Sequence, residues 1–209
     1  LYHTGMNALY PLVQAAVSEI LDPSTIRWLA FSHFEADECG SLNQWLDVAP
    51  RAQPACSFVG AMVSVNDFAS RPARALEHEE VFSTGEHRFR FHSTPQVPHC
   101  WDAGMLFEET TSTLFCSDLL HQLGDVEASS DSADVVGRFQ QAVEEYQSGP
   151  FAHYLPYTNR TGPTIDALAD LSPRVLAPMH GTAYLGDGAR TLRDMGAMLG
   201  NALAAQAAE

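Results

Sequence analysis

His33-Phe34-Glu35-Ala36-Asp37-Glu38 follows directly on the apolar run Ile26-Arg27-Trp28-Leu29-Ala30-Phe31, and the reading of this junction decides the fold. The run is too short for a helix and reads as a buried strand. A cluster of ligating side chains just past the end of a strand is a rigidly positioned site. In an extended or looping backbone, residues two apart project to one side. The spacing therefore predicts that His33, Glu35 and Asp37 point into one pocket. An imidazole with two carboxylates suits iron and manganese as well as zinc. Taken alone, an acidic loop with one histidine is also ordinary solvated surface.

Working outward, three further residues repeat the pattern. His99 lies in Val97-Pro98-His99-Cys100-Trp101-Asp102, Asp118 ends the apolar run 113–117, and His180 ends the apolar run 175–178. Each has a bland reading as a buried histidine, a cap or a turn residue. Around them, 9–21 carries Leu9, Leu12, Val13, Ala16, Val17 and Ile20 at helical spacing and stops at Asp22-Pro23. Residues 40–46, 61–68, 133–147, 164–171 and 188–208 read as helices, and 55–58 and 174–178 as strands. Between 79 and 118 the pattern is strands, with 87–92 alternating polar and apolar as a half-buried strand should. Helices and strands are mixed without a compositional break, so 1–209 reads as a single α/β domain. No GxGxxG or GxxxxGK[ST] motif cradles a nucleotide.

The composition supports a globular protein. Of 209 residues, 45% are hydrophobic and 18% charged, enough to bury a core. Lys+Arg is 11 against Asp+Glu 26, giving −15, and every cation is an arginine, spread from Arg27 to Arg193. That charge argues against nucleic acid or an anionic membrane face as partner. No apolar run approaches the ~20 residues of a membrane helix. The opening LYHTGMNALY has no signal-peptide character. It starts without Met on what reads as a strand end, as in a fragment lacking its start. Cys39, Cys56, Cys100 and Cys116 form no CxxC pair and read as free thiols of a reducing cytoplasm. The Asn159-Arg160-Thr161 sequon reads as a chance match.

In order along the chain, HxExDE at 33–38, then His99, Asp118 and His180, resemble the diiron site of the flavodiiron protein family. The neighbouring words agree: SHFEADECGSL, PHCWDAGMLFEE, LFCSD and APMHGTAY. The resemblance runs from about Thr4 to Leu199. It implies a metallo-β-lactamase-like αββα sandwich whose early strands are missing here. It also implies two iron ions with an oxo or hydroxo bridge: His33, Glu35 and His99 on one, Asp37 and His180 on the other, and Asp118 between them. Zinc hydrolases of that fold typically carry a histidine where Glu35 stands, and a carboxylate there hardens the site and favours iron. Glu38 departs from the many members that have histidine at this step. It ligates the second iron, hydrogen-bonds a ligand, or points away. Nothing here corresponds to the flavodoxin domain with its FMN, so no flavin is expected in this chain. In this it is similar to the short oxygen-binding diiron proteins (ODP), some of them associated with chemotaxis sensing.

The resemblance implies binding, and reduction, of O2, with NO as a further ligand of the same open positions. Reduction to water takes four electrons and two ferrous ions hold two. The chain then needs a separate electron donor, or it is an O2 binder and sensor with a signalling partner; a homodimer is expected. The alternatives are a zinc-dependent ester or thioester hydrolase and a non-catalytic module held together by metal. Phe34, Trp101 and Tyr184 neighbour the ligand candidates and wall a gas pocket or pack in the core. His121 and His153 are candidates to orient a ligand histidine, or are surface residues. His3, His78, His87 and His92 read as structural.

Overall fold

The structure is a computed structural model, and it describes residues 1–203. The apolar run at 26–31 delivers a short strand, β1 (Trp28–Ala30). Strands β2 (Gln53–Ser57) and β3 (Arg74–Leu76) join it in a parallel sheet of order β1-β2-β3. Trp28 lies opposite Gln53, and Ala55 opposite Arg74. The opening residues complete the other side of β1. Tyr2 pairs in parallel with Ala30, His3 N–H donates to the Ala30 carbonyl at 2.8 Å, and Ala30 N–H donates to Leu1 at 3.0 Å. The strand-end reading of these residues matches this pairing.

The second sheet holds β4 (Val81–Thr84), β5 (His87–Ser93), β6 (Gly104–Glu108), β7 (Thr113–Ser117), β8 (Ser129–Ser130), β9 (Val175–Pro178) and β10 (Ala183–Leu185). Its order is β4-β5-β6-β7-β9-β10-β8. The first four form an antiparallel meander, and β9 then lies parallel to β7. The helices are α1 (Tyr10–Ser18), α2 (Ala36–Cys39), α3 (Leu42–Val48), α4 (Phe58–Gly60), α5 (Asn66–Phe68), α6 (Val135–Gln147), α7 (Thr161–Asp170) and α8 (Gly188–Leu203). A π-helical turn, Ala61–Val65, joins α4 to α5. Asp134 caps α6 by accepting from Gly137 N–H at 2.8 Å. The expected end of the last helix at Ala208 lies outside the described residues.

Three apolar clusters fix the layers. Ala30, Ala55 and Leu76 of the first sheet meet Phe82, Phe91 and Leu106 of the second, so the sheets stack face to face. Leu42, Trp45 and Leu46 of α3 pack with Leu29 and Cys56 on the outer face of the first sheet. Phe139 of α6, Ile165 of α7 and Met195 of α8 pack with Met105, Leu114 and Leu176 on the outer face of the second. The result is helices, sheet, sheet, helices.

Some expectations fail for physical reasons. In α1, Val13 and Val17 touch the core, but Leu12 is 71% exposed and Ile20 lies past the helix end. The wide apolar face of 9–21 is therefore only half covered. Strands β3, β8 and β10 are only two or three residues long, too short to carry a strand pattern, and exist through pairing. His92, on the polar side of the alternation in β5, is buried at 6% exposure, because that side of the strand is covered near its end.

Gly104 begins β6 where the strand passes over the Phe91 ring, and its N–H donates to the Ser32 carbonyl at 2.8 Å. A β-carbon there would run into that ring and lie 3.0 Å from the His92 carbonyl oxygen. Gly104→Ala is expected to cost about 1–3 kcal/mol through overpacking, read as a lower urea midpoint with unchanged slope.

Candidate metal centre

The junction after β1 is held from three sides before any ligand is considered. Phe34 N–H donates to the buried Asp102 carboxylate at 3.0 Å. Thr4 N–H donates to the Glu38 carbonyl at 2.7 Å. Ser41 Oγ and Trp45 Nε1 both donate to the Thr4 carbonyl, at 2.6 and 3.2 Å. Glu35 has extended backbone, φ −130° and ψ 166°, and α2 starts after it. Of the extended-or-looping stretch, Glu35 is extended, while His33 and Phe34 lie in a bend in which Glu35 N–H donates to the His33 carbonyl at 3.2 Å. Asp37 and Glu38 stand in the first turn of a helix, which is why two adjacent residues both reach the centre.

The other ligand candidates arrive through irregular backbone. The register of β7 against β9 shifts between Phe115 and Ser117, an irregularity that re-aims the residues after it. Ser117 takes φ +54°, and Cys100, after His99, takes φ +63°. Each left-handed residue costs on the order of 1 kcal/mol, and each stands beside a candidate ligand. His180 is held by its carbonyl, which accepts from Gln122 N–H at 2.7 Å. Gly181 follows at φ +146° with the Gln122 side chain against it.

These segments bring His33, Glu35, Asp37, Glu38, His99, Asp118 and His180 together. The Nε2 atoms of His33 and His99 are 2.9 Å apart. Asp118 Oδ2 is 3.5 Å from each of them, and its Oδ1 is 3.4 Å from His180 Nε2. Glu35 lies 3.4 Å from His99 and 3.8 Å from His33, and Asp37 lies 3.1 Å from His180. Glu38 lies 3.7 Å from His33. Donor atoms of His33, Glu35, His99 and Cys100 form one compact group able to hold a metal ion; His33, Glu38 and Asp118 form a second, and Asp37, Glu38 and His180 a third. Glu38 thus faces inward, toward both imidazole sets. His33, Glu38 and Asp118 are buried, while Glu35, Asp37 and His180 are partly exposed and form the solvent side.

The electrostatics are unbalanced in the way a cation would correct. Glu38 Oε1 and Oε2 and Asp118 Oδ1 are buried without a hydrogen-bond partner among the described residues. Burial, then the Asp118 charge, pushes the Glu38 carboxyl up to about 10, and burial raises Asp118 as well. The outer acids go the other way. The His33 and His99 imidazoles hold Glu35 well below the usual range, and His180 pulls Asp37 down to about 2 while being raised by it. Buried unpaired carboxylates are costly, and the donor set of imidazole and carboxylate matches borderline-to-hard divalent ions. The residues present therefore fit a metal pair.

Around the donors, Ser32 Oγ is 2.9 Å from His33 Nδ1 and 3.1 Å from His3 Nε2, and Ser117 Oγ donates to it at 2.8 Å. His3 thus props the His33 ring through Ser32, a role its sequence position gave no hint of. Tyr154 carries no ligand-like signal in the sequence, yet its ring lies 4.6 Å from that of His99. His121 is buried under the centre, with Nδ1 3.2 Å from the Asp118 carbonyl oxygen and its ring stacked on Tyr146. Phe34 packs edge-on against Phe68, and Tyr184 packs against the α6–α8 cluster. Trp101 corrects the expectation of a pocket wall: it is 59% exposed, because the turn after His99 leaves it on the surface. His153 is exposed at φ +82° and is not brought to the centre. Cys100 Sγ lies 3.5 Å from Glu35 Oε1. All four cysteines are free thiols, with Cys39, Cys56 and Cys116 buried.

The four-layer fold and this donor set define a metallo-β-lactamase-like domain. The family model described as ODP family beta lactamase matches residues 1–181, and the chain belongs to that family. Among curated proteins, it is 22% identical over 176 residues to the flavo-diiron protein FprA2 of Clostridium acetobutylicum, covering 82% of this chain and 43% of that protein. A flavo di-iron protein mutant from Thermotoga maritima superposes with TM-score 0.78 at 23% identity, covering 93% of this chain and 48% of that one. The apo state of the chemotaxis sensor ODP from T. denticola superposes with TM-score 0.71 at 17% identity, covering 91% and 77%. The chain spans less than half the length of the flavo-diiron relatives it matches.

The Glu38 carboxyl gives a pH test of the metal-free protein. Its folded value of about 10 lies above the ordinary 4.5, so the fold keeps a proton that the unfolded chain releases. The metal-free fold should therefore lose stability as pH rises across that window. Glu38→Gln removes this loss. At neutral pH the metal-free variant is expected to be more stable than wild type by more than about 1 kcal/mol, with the gap widening toward alkaline pH in urea titrations.

Proposed function

We propose that the chain binds O2 at a pair of iron ions held by these imidazoles and carboxylates. The observation that carries this reading is Asp118, with one carboxylate oxygen toward His33 and His99 and the other toward His180. A carboxylate so placed suits two cations side by side. In this reading His33, Glu35 and His99 hold one ion, and Asp37 and His180 the other. Glu38 joins the second set, because its buried oxygens otherwise make no hydrogen bond among the described residues. The bound ions would supply redox-active Lewis-acid positions for O2, with NO as a competing ligand.

The rest of the work falls to the chain. Ser32 fixes the His33 ring through its Nδ1, so that Nε2 faces the centre. Glu35 places a hard oxygen donor where an imidazole would favour zinc. Tyr154 and His121 form an aromatic floor under His99 and Asp118. The exposed sides of Glu35, Asp37 and His180 give a small ligand a direct approach from solvent. The site draws on both sheets, which supports reading 1–209 as one domain. The family match and the fold shared with a chemotaxis sensor favour O2 sensing with a signalling protein as partner. Sustained reduction of O2 would add an electron donor. Among the described residues no helix is long and apolar enough to cross a membrane.

Anaerobic loading with Fe(II) is expected to give about two iron ions per chain, and admission of O2 a new visible absorption band with uptake of gas. Failure to take up iron, or an O2-insensitive spectrum after loading, sinks the reading, and ester or thioester hydrolysis with zinc alone would replace it. Asp118→Ala should bring iron content well below one per chain. Glu35→His should shift the iron-to-zinc preference toward zinc by about tenfold or more, measured by metal analysis after competition between the two ions.

A further inference from the structure

A second set of chemically able side chains lies away from the metal centre, between the end of β5 and the start of α7. Here a cavity of about 370 Å³ is lined by His78, His92, Ser93, Asn159, Arg160 and Thr164, with apolar walls from α7 and no acidic side chain in its lining. In a chain of net charge −15, a cavity that gathers a guanidinium and two imidazoles without an acid is unusual. Arg160 forms no ion pair among the described residues. It also occupies the N-cap position of α7, a ten-residue helix whose cap side chain makes no hydrogen bond. The positive end of the helix lies beside the Arg160 charge, and of its first-turn N–H groups only that of Gly162 has no acceptor among the described residues, since Thr161 donates to the Thr158 carbonyl, Thr164 to the Arg160 carbonyl and Pro163 has none.

The independent sign of a ligand is His92. Its ring is buried, and its Nε2 has no hydrogen-bond partner among the described residues. A buried imidazole nitrogen left unpaired costs on the order of 1–3 kcal/mol, and the His92 side chain is part of the cavity lining. Burial lowers the His92 imidazole to about 4, so at neutral pH the ring is uncharged and offers a hydrogen-bonding nitrogen. His78 crosses it edge-on, with ring centres 5.8 Å apart. His78 Nδ1 accepts from Ser93 N–H at 3.2 Å. That contact places the proton of neutral His78 on Nε2, where it is a donor.

We infer that this cavity binds a phosphate group, free or on a small organic molecule. The donors come from three separate segments: His78 before β4, His92 at the end of β5, and Asn159, Arg160 and Thr164 at the start of α7. A tetrahedral anion with acceptors on several sides suits donors spread this way better than a planar carboxylate does. The guanidinium supplies the charge and a forked pair of N–H donors. The remaining volume leaves room for a short organic group against Pro163 and Ala167.

The test is calorimetric titration of the metal-loaded full chain with inorganic phosphate, with the metal absorption spectrum followed in parallel. The expected result is saturable binding that weakens about tenfold or more in Arg160→Gln, weakens also in His78→Asn, and leaves the metal spectrum unchanged. Both residues are exposed, so the variants should keep the fold. Absence of saturable binding overturns the inference. So does binding of equal strength in wild type and Arg160→Gln, or binding that perturbs the metal spectrum alike in both, which assigns phosphate to the metals. A parallel titration with glycerol 3-phosphate separates the sources: tighter binding than inorganic phosphate points to an organic phosphate and equal binding to the free ion, and both uphold the site.

Discussion

Negative charge concentrated in a dry place is the constraint on which the rest depends. Asp118 and Glu38 sit buried beside each other's field, with three carboxylate oxygens that make no hydrogen bond among the described residues. No arginine approaches them; the ion pairs that arginines make are with other acids, such as Glu80, Glu109 and Glu127. Among the described residues imidazoles are the only basic neighbours, and they too turn a nitrogen toward the same point. Like charges so placed raise each other's proton affinity, and protons or metal cations are what such a site can take. The mixed set of imidazoles and carboxylates suits the second.

Holding that cluster accounts for much of the backbone irregularity. The shift in β7 and the left-handed Ser117 turn Asp118 inward, and the left-handed Cys100 follows His99. The first residues of the chain matter as much: Tyr2 pairs with β1, Thr4 binds the Glu38 carbonyl, and His3 reaches His33 through Ser32. Local strain is tolerated because two stacked sheets and their outer helices over-determine these positions.

How much of this was legible depended on residue type. Buried strands and amphipathic helices announced themselves where burial was one-sided, as in α6, with Val135, Phe139 and Val143 inside. The shortest strands did not, because β3, β8 and β10, two or three residues each, owe their state to neighbours far along the chain. Candidate ligands were visible because His, Asp and Glu ending apolar runs are chemically conspicuous. Supporting residues were not: nothing in sequence separates Tyr154, which meets His99, from Trp101, which faces solvent. The same holds for His92, which the alternation places outside and the packing places inside.

The sequence by itself determined the donor types and their order, HxExDE, His99, Asp118 and His180, and with Glu35 the hardness of the set. It also determined the excess of acid that any metal would partly offset. Only the tertiary structure decided that Glu38 turns inward and that one Asp118 carboxylate faces two imidazole sets. It alone joined His78, His92 and Arg160 around a common cavity. The reason is physical: residue chemistry is local and can be read in one dimension. Distance, burial and the field of neighbouring charges arise only when segments far apart in the chain are packed together.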